Sequence, residues 1–171
     1  MNVNFHDIGI KHGKEQITII PIEAHYSRRT KSNGFCRETW FRLIARVKKD
    51  PLCRVVFVGD MLDADRPSLR ARKSAIYAEP DRRSALSEDD MDHQKGLRDG
   101  IIADLRPIKD KIIGMVDGDH FRLYENGTTS TWYIANALGI PKAYLGERMG
   151  WVRLGIKWGS KSPQSTIFDI F

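Results

Sequence analysis

Three short apolar runs along the chain, each bounded by polar residues, predict the strands of a sheet. They cover residues 17–22, 55–58 and 112–116. Runs this short and this uniformly apolar are typical of strands that are covered on both faces, as in a parallel sheet. The sequence therefore predicts a buried sheet at the centre of the fold.

Apolar residues spaced three and four apart predict helices between these strands. The helices are expected over residues 34–50, 87–106 and 128–138, the last one capped by Thr128 or Thr129. In the first, Trp40, Ile44 and Val47 fall on one face and are expected in the core. Two aromatic residues of the third helix, Trp132 and Tyr133, are expected to be buried as well.

The two ends of the chain have different patterns. Residues 1–15 are polar and predict an irregular N-terminal arm, whereas 151–156 and 165–171 alternate like strands and predict an antiparallel pair. The expected element order is β-α-β-α-β-α-β-β. Residues 16–171 are thus predicted to form one layered α/β domain, and a length of 171 residues suits a single domain.

Composition limits the function classes. With 41% hydrophobic and 29% charged residues, the chain reads as a soluble protein. It has no apolar stretch of the roughly 20 residues that a membrane span needs, and no secretory signal pattern. Two cysteines are too few for a disulfide framework and favour a cytoplasmic location. The net charge of +6 mildly favours polyanionic partners.

The candidate chemistry lies directly after the three apolar runs. The motifs are Glu23-Ala-His25, Gly59-Asp60-Met-Leu-Asp63 and Gly118-Asp119-His120. Ligands of open α/β folds bind at the carboxyl ends of the strands, so these motifs are expected at one edge of the sheet. Carboxylate oxygens and imidazole nitrogens that converge there are suitable ligands for a divalent metal. A single Asp after a strand, by contrast, is more often a turn former or a helix cap.

The order of the motifs and their residue types resemble those of the calcineurin-like metallophosphoesterases. That family's pattern reads D-x-H, then G-D-x-x-D, then G-N-H-[DE]. The middle motif matches in full, while Glu23 stands in place of Asp, Asp119 in place of Asn, and Phe121 in place of the final acid. The family's later His-Gly and Gly-His-x-His motifs do not occur in this sequence. The resemblance implies a layered α/β sandwich that is incomplete on its C-terminal side.

The resemblance also implies a site with two divalent metal ions, of Mn²⁺, Zn²⁺, Fe or Mg²⁺. Its metal ligands would be Glu23, His25, Asp60 and Asp119, with Asp60 bridging the two ions. His120 would act on the leaving oxygen of a phosphate ester, and Asp63 would orient His120. The ions would polarise the phosphoryl oxygens and generate a hydroxide nucleophile.

Basic residues near the motifs are candidates for substrate binding. Arg28 follows the first motif, and Arg66 and Arg70 follow the second. Two interpretations of these residues are open: they contact substrate phosphates, or they are solvated loop residues without a role in binding. Together these basic segments favour nucleic acid or nucleotides as the phosphate-ester substrate, with phosphoprotein as the lesser option.

The alternative function is a domain that has lost catalysis and acts as a binding or structural module. Three explanations for the missing histidine motifs are open: a truncated chain, a second polypeptide that supplies them, or loss of catalysis. The apolar C-terminal strand 165–171 is expected to have an unpaired edge. It therefore predicts self-association or binding of a completing chain.

Overall fold

Two larger sheets, a small antiparallel sheet of two strands and a set of helices form an α/β fold, as a computed structural model shows. The structure describes residues 3–10, 15–27, 31–32, 35–62, 88–118, 127–146, 150–158 and 162–170. The strands are β1 (Val3–Ile10), β2 (Thr18–Ile22), β3 (Lys31–Ser32), β4 (Phe35–Cys36), β5 (Cys53–Phe57), β6 (Ile112–Val116), β7 (Tyr144–Gly146), β8 (Gly150–Trp158) and β9 (Ser162–Ile170). The helices are α1 (Arg37–Lys49), α2 (Glu88–Leu105) and α3 (Ser130–Ala137), with 3₁₀ helices at Arg106–Lys111 and Pro141–Ala143.

The central sheet has four strands in the order β2-β5-β6-β7, and all neighbouring pairs are parallel. The three strands predicted from the apolar runs are β2, β5 and β6, so these predictions are confirmed. Every residue of β6 is buried. The carboxyl ends of all four strands lie at the same edge, because the strands run in the same direction.

Helices cover one face of this sheet. In α1, Trp40, Ile44 and Val47 are buried, as the spacing predicts. The Lys111 ammonium group donates to the carbonyl oxygens of Val47 and Asp50, at 2.5 and 2.6 Å. A positive charge beside these carbonyl oxygens stabilises the C-terminal end of α1.

The third predicted helix is confirmed, with Thr129 as its N-cap. The Thr129 side chain accepts a hydrogen bond from the backbone N–H of Trp132 at 3.1 Å. The predicted burial of Trp132 and Tyr133 is wrong, because both side chains are exposed. Ile134 and Ala135 face the core instead, so Trp132 and Tyr133 lie on the solvent side of the helix.

A second sheet covers the other face. It has the order β1-β8-β9, with β1 and β8 parallel and β8 and β9 antiparallel. Ile8, Val152 and Leu154 of this sheet pack in one buried cluster with Val56 and Ile113 of the central sheet. The central sheet therefore lies between helices and a second sheet.

The prediction of an irregular arm over residues 1–15 is wrong for Val3–Ile10, which forms β1. Its partner β8 is remote in sequence, since Val3 pairs with Trp151. The predicted element order also lacked β3 and β4, which have two residues each, and β7, which has three. Strands this short or this polar give no recognisable local pattern.

The predicted antiparallel pair near the C-terminal end is confirmed as β8 and β9. Within the described residues, β9 pairs with β8 alone and lies at the edge of its sheet. The expected self-association through this strand stays a prediction. None of the described helices has the length and apolar character that crossing a bilayer would require.

Candidate metal centre

The loops that follow β2 and β5 are held together by backbone hydrogen bonds. The N–H of His25 donates to the carbonyl oxygen of Asp60 at 2.7 Å, and the N–H of Tyr26 donates to that of Met61 at 3.0 Å. Tyr26 also forms a parallel β-bridge with Leu62. These bonds extend the pairing of the two strands beyond their ends and fix the first two motifs next to each other.

Three side chains of these loops converge as a possible metal site. One ligand atom from each of Glu23, His25 and Asp60 lies within 4.8 Å of the other two. His25 Nε2 is 3.7 Å from Glu23 Oε1 and 3.8 Å from Asp60 Oδ2. Two carboxylates and an imidazole are a donor set that suits borderline divalent cations.

The spacing of these atoms can be compared with that around a metal ion. Bonds of about 2.0–2.2 Å in a tetrahedron place ligand atoms roughly 3.3–3.6 Å apart. The separations around His25, 3.7 and 3.8 Å, are a few tenths of an ångström larger. Small side-chain rotations would close the difference at His25, and the three residues form a group that could hold a divalent ion.

Exposure increases from Asp60 to Glu23. The Asp60 side chain is 9% exposed, that of His25 30% and that of Glu23 55%. Asp60 is therefore fixed by its surroundings, while Glu23 borders the solvent. A ligand would therefore reach such a site from the side of Glu23.

Two of these three residues have an unusual backbone conformation. The φ angles of His25 and Asp60 are +42° and +32°, in the left-handed region. Residues other than glycine adopt it rarely, although Asp and His do so more often than most. Such strain of the backbone is frequent at functional sites. Here it accompanies the convergence of both side chains.

The third motif approaches the second through two glycines. A Cβ atom at Gly118 would overlap the carboxylate and the backbone nitrogen of Asp60. A Cβ atom at Gly59, whose φ is +142°, would lie 3.1 Å from the Cα of Gly118. Gly118 thus lies directly against Asp60, and only glycine permits this approach.

Tyr26 anchors the first motif to the helices. Its hydroxyl donates to Asp104 Oδ2 at 2.9 Å, and the same oxygen accepts a bond from Trp40 Nε1 at 3.1 Å. The Tyr26 ring packs edge-on against Phe35 and Trp40, with centroids 5.2 and 5.7 Å away. Since His25 directly precedes Tyr26, these contacts restrict the position of His25.

The structure brings together three of the residues proposed from the sequence, Glu23, His25 and Asp60. The other proposed residues lie outside the described residues. They are Asp63, Asp119 and His120 of the motifs, and the basic residues Arg28, Arg66 and Arg70. Their roles stay predictions that follow from the resemblance.

The sequence interpretation missed Asp117 and Tyr144. Asp117 is 3% exposed, and its Oδ2 accepts a hydrogen bond from the Tyr144 hydroxyl at 2.7 Å. Asp117 directly follows a buried strand and directly precedes the third motif, and this position could have marked it as a candidate in the sequence. No local pattern could indicate Tyr144, which lies 27 residues further along the chain.

Compared with models of known protein families, with curated proteins and with solved structures, the chain matches none of them. The geometry of Glu23, His25 and Asp60 is thus the main support for a functional assignment, and it characterises the site as a possible metal centre.

Proposed function

We propose that the protein is a metal-dependent phosphoesterase with a layered fold of the calcineurin-like type. The observation that carries the proposal is the convergence of Glu23, His25 and Asp60 at the carboxyl edge of a parallel sheet. The order of the three motifs supports it, since it resembles that family. The position of the three residues also supports it, because open α/β folds bind their ligands at the carboxyl edge of the sheet.

In this proposal the described residues hold a divalent cation and keep it accessible. Asp60, buried and restrained by Gly118, fixes one side of the site, and His25 fixes another through its backbone bond to Asp60. Glu23 completes the set at the solvent side. Divalent ions, when bound, polarise the phosphoryl oxygens of an ester.

The remaining roles of the proposal come from the resemblance. Asp119 would add a ligand for a second ion, His120 would donate a proton to the leaving oxygen, and Asp63 would hold His120 in the correct orientation. Arg28, Arg66 and Arg70 would contact phosphates of the substrate. The net charge of +6 is compatible with nucleic acid or a nucleotide as that substrate.

Hydrolysis of two chromogenic esters tests the proposal. The protein is incubated with Mn²⁺ and either bis(p-nitrophenyl) phosphate or p-nitrophenyl phosphate, and release of nitrophenolate is measured. We expect activity that requires the metal and falls by about 100-fold or more in Asp60→Asn. Asp110→Asn serves as the matched control, because Asp110 is an exposed carboxylate in the 3₁₀ helix Arg106–Lys111.

Two results would contradict the proposal. Activity that is equal in Asp60→Asn and in the wild-type protein would exclude this site as its source. Mn²⁺ binding that depends on Asp60, without hydrolysis of either ester, would instead favour the alternative of a domain that has lost catalysis. Calorimetry with Mn²⁺ on the same two variants separates this result from a complete failure to bind metal.

A further inference from the structure

Asp117, the residue before Gly118, is held from two positions of β7. Its backbone N–H donates to the carbonyl oxygen of Gly146 at 3.0 Å. Its Oδ2 accepts a hydrogen bond from the Tyr144 hydroxyl at 2.7 Å. Both bonds lie beyond the last residue of β6, so they restrain the chain where the third motif begins.

The bond from Tyr144 is one step of a longer series. The Thr129 hydroxyl donates to Tyr144 Oη at 3.3 Å, and Thr129 Oγ1 accepts from the backbone N–H of Trp132 at 3.1 Å. Each hydroxyl donates one hydrogen bond and accepts one, which agrees with its capacity. Such a directed series polarises its members and strengthens them cooperatively. It connects the first turn of α3 to Asp117.

Asp117 acts on the metal centre through its neighbour in the chain. Gly118 is so close to Asp60 that there is no room for a single added carbon atom between them. A shift of Gly118 would therefore displace the Asp60 carboxylate or open a gap beside it. The restraint on Asp117 consequently fixes a wall of the proposed metal site.

We infer that Tyr144 is a positioning residue for this metal centre, which acts through Asp117 and Gly118 to hold the Asp60 carboxylate in place. The inference rests on the proposed metal site and identifies a residue outside its three ligands that sets its affinity. Tyr144 itself does not contact substrate or metal in this role. A residue that only stabilises the edge of the sheet would change the stability of the fold without changing the affinity.

The affinity for Mn²⁺ alone distinguishes these two roles. Mn²⁺ is titrated into the wild-type protein and Tyr144→Phe, and the free ion is measured by electron paramagnetic resonance. Loss of the hydroxyl is expected to weaken binding roughly tenfold, as for other groups that orient metal ligands. Tyr133→Phe is the matched control, since Tyr133 is an exposed tyrosine of α3 whose ring packs against Arg98. Its affinity should equal that of the wild-type protein.

A double-mutant cycle tests whether Tyr144 acts through Asp117. The variants are Tyr144→Phe, Asp117→Ala and their combination, titrated at a temperature at which melting curves show each of them folded. If the two residues work as a unit, the combined variant binds Mn²⁺ no more weakly than Asp117→Ala alone. Hydrogen exchange at the Asp117 amide should be faster in Tyr144→Phe, because its bond to Gly146 is no longer supported.

Each result has a defined meaning. A lower melting temperature of Tyr144→Phe with unchanged Mn²⁺ affinity would overturn the positioning role and leave the proposed function intact. Additive losses in the double variant would overturn the path through Asp117. A wild-type protein that binds no Mn²⁺ would overturn the proposed metal site, and the positioning role with it.

Discussion

The two larger sheets of this protein differ in how their strands are connected and in what they carry. Neighbours in the central sheet are all parallel, and the described loops at its carboxyl edge hold Glu23, His25 and Asp60. The second sheet joins β1 and β8, which lie about 150 positions apart in the sequence. Of its described residues, none belongs to the candidate metal group.

The candidate metal site therefore lies on one sheet, while the other sheet covers the core. The central sheet brings polar loops together at one edge. The second sheet instead contributes buried side chains, such as Ile8 and Leu154, which pack on the face of the central sheet that the helices do not cover. Substitutions in the second sheet should therefore affect stability and spare the candidate metal centre. Substitutions at the carboxyl edge should affect both.

The largest expected effect tests the role of β1. Ile8 is 1% exposed, so Ile8→Ala should lower the free energy of unfolding by about 2–5 kcal/mol. Phe5→Ala is the control on the same strand, because Phe5 is 66% exposed, and its effect should stay within roughly 0.5 kcal/mol. Urea unfolding measures both. Equal and small effects would mean that β1 does not belong to the folded core.

The second prediction concerns the edge that carries the site. Gly118→Ala adds a Cβ that overlaps Asp60, which should cost about 1–3 kcal/mol and also abolish tight Mn²⁺ binding. Gly9→Ala in β1 is the control, since a Cβ at Gly9 would meet no atom within 4 Å. Unfolding and calorimetry are compared for the two variants. Tight Mn²⁺ binding by Gly118→Ala would contradict the close approach of the two loops.

The smallest effect concerns the contact between the two sheets. The Arg54 Nε–H donates to His6 Nε2 at 2.9 Å, so the bond requires a neutral imidazole. Burial and then the charge of Arg54 lower the pKa of His6 from 6.5, although Asp7 opposes them. Because the pKa is lower in the folded state, the unfolded chain takes up the proton first on acidification. His6 then contributes stability above pH 6.5 that is lost as the pH falls towards its folded pKa.

His6→Gln should therefore reduce the loss of stability on acidification, since glutamine keeps an acceptor and does not titrate. Urea midpoints measured between about pH 7.5 and 5 give the slope for each protein. A slope that is the same in the wild-type protein and in His6→Gln would contradict this contribution of His6.

The sequence predicts three of the four strands of the central sheet, because their signals are local. Uniform apolar runs define β2, β5 and β6, and the helical spacing of Trp40, Ile44 and Val47 defines the buried face of α1. The convergence of Glu23, His25 and Asp60 follows from the same reasoning, since parallel strands share a carboxyl edge.

Features that depend on distant partners were not predictable in this way. The strand β1 has polar residues at Asn4, His6 and Asp7 and is stabilised by β8. Asn4 even donates through its side chain to the carbonyl oxygen of Ile113, at 2.7 Å, in the central sheet. The exposure of Trp132 likewise depends on how α3 packs, because its own sequence is apolar on several sides.

The left-handed backbone at His25 and Asp60 has a consequence for the evolution of the protein. Glycine would adopt these angles without the steric cost of a Cβ, which is about 1–2 kcal/mol per residue. Selection for heat resistance alone would therefore favour glycine at both positions. Histidine and aspartate in so unfavourable a conformation are what selection for a side-chain function at these positions would produce.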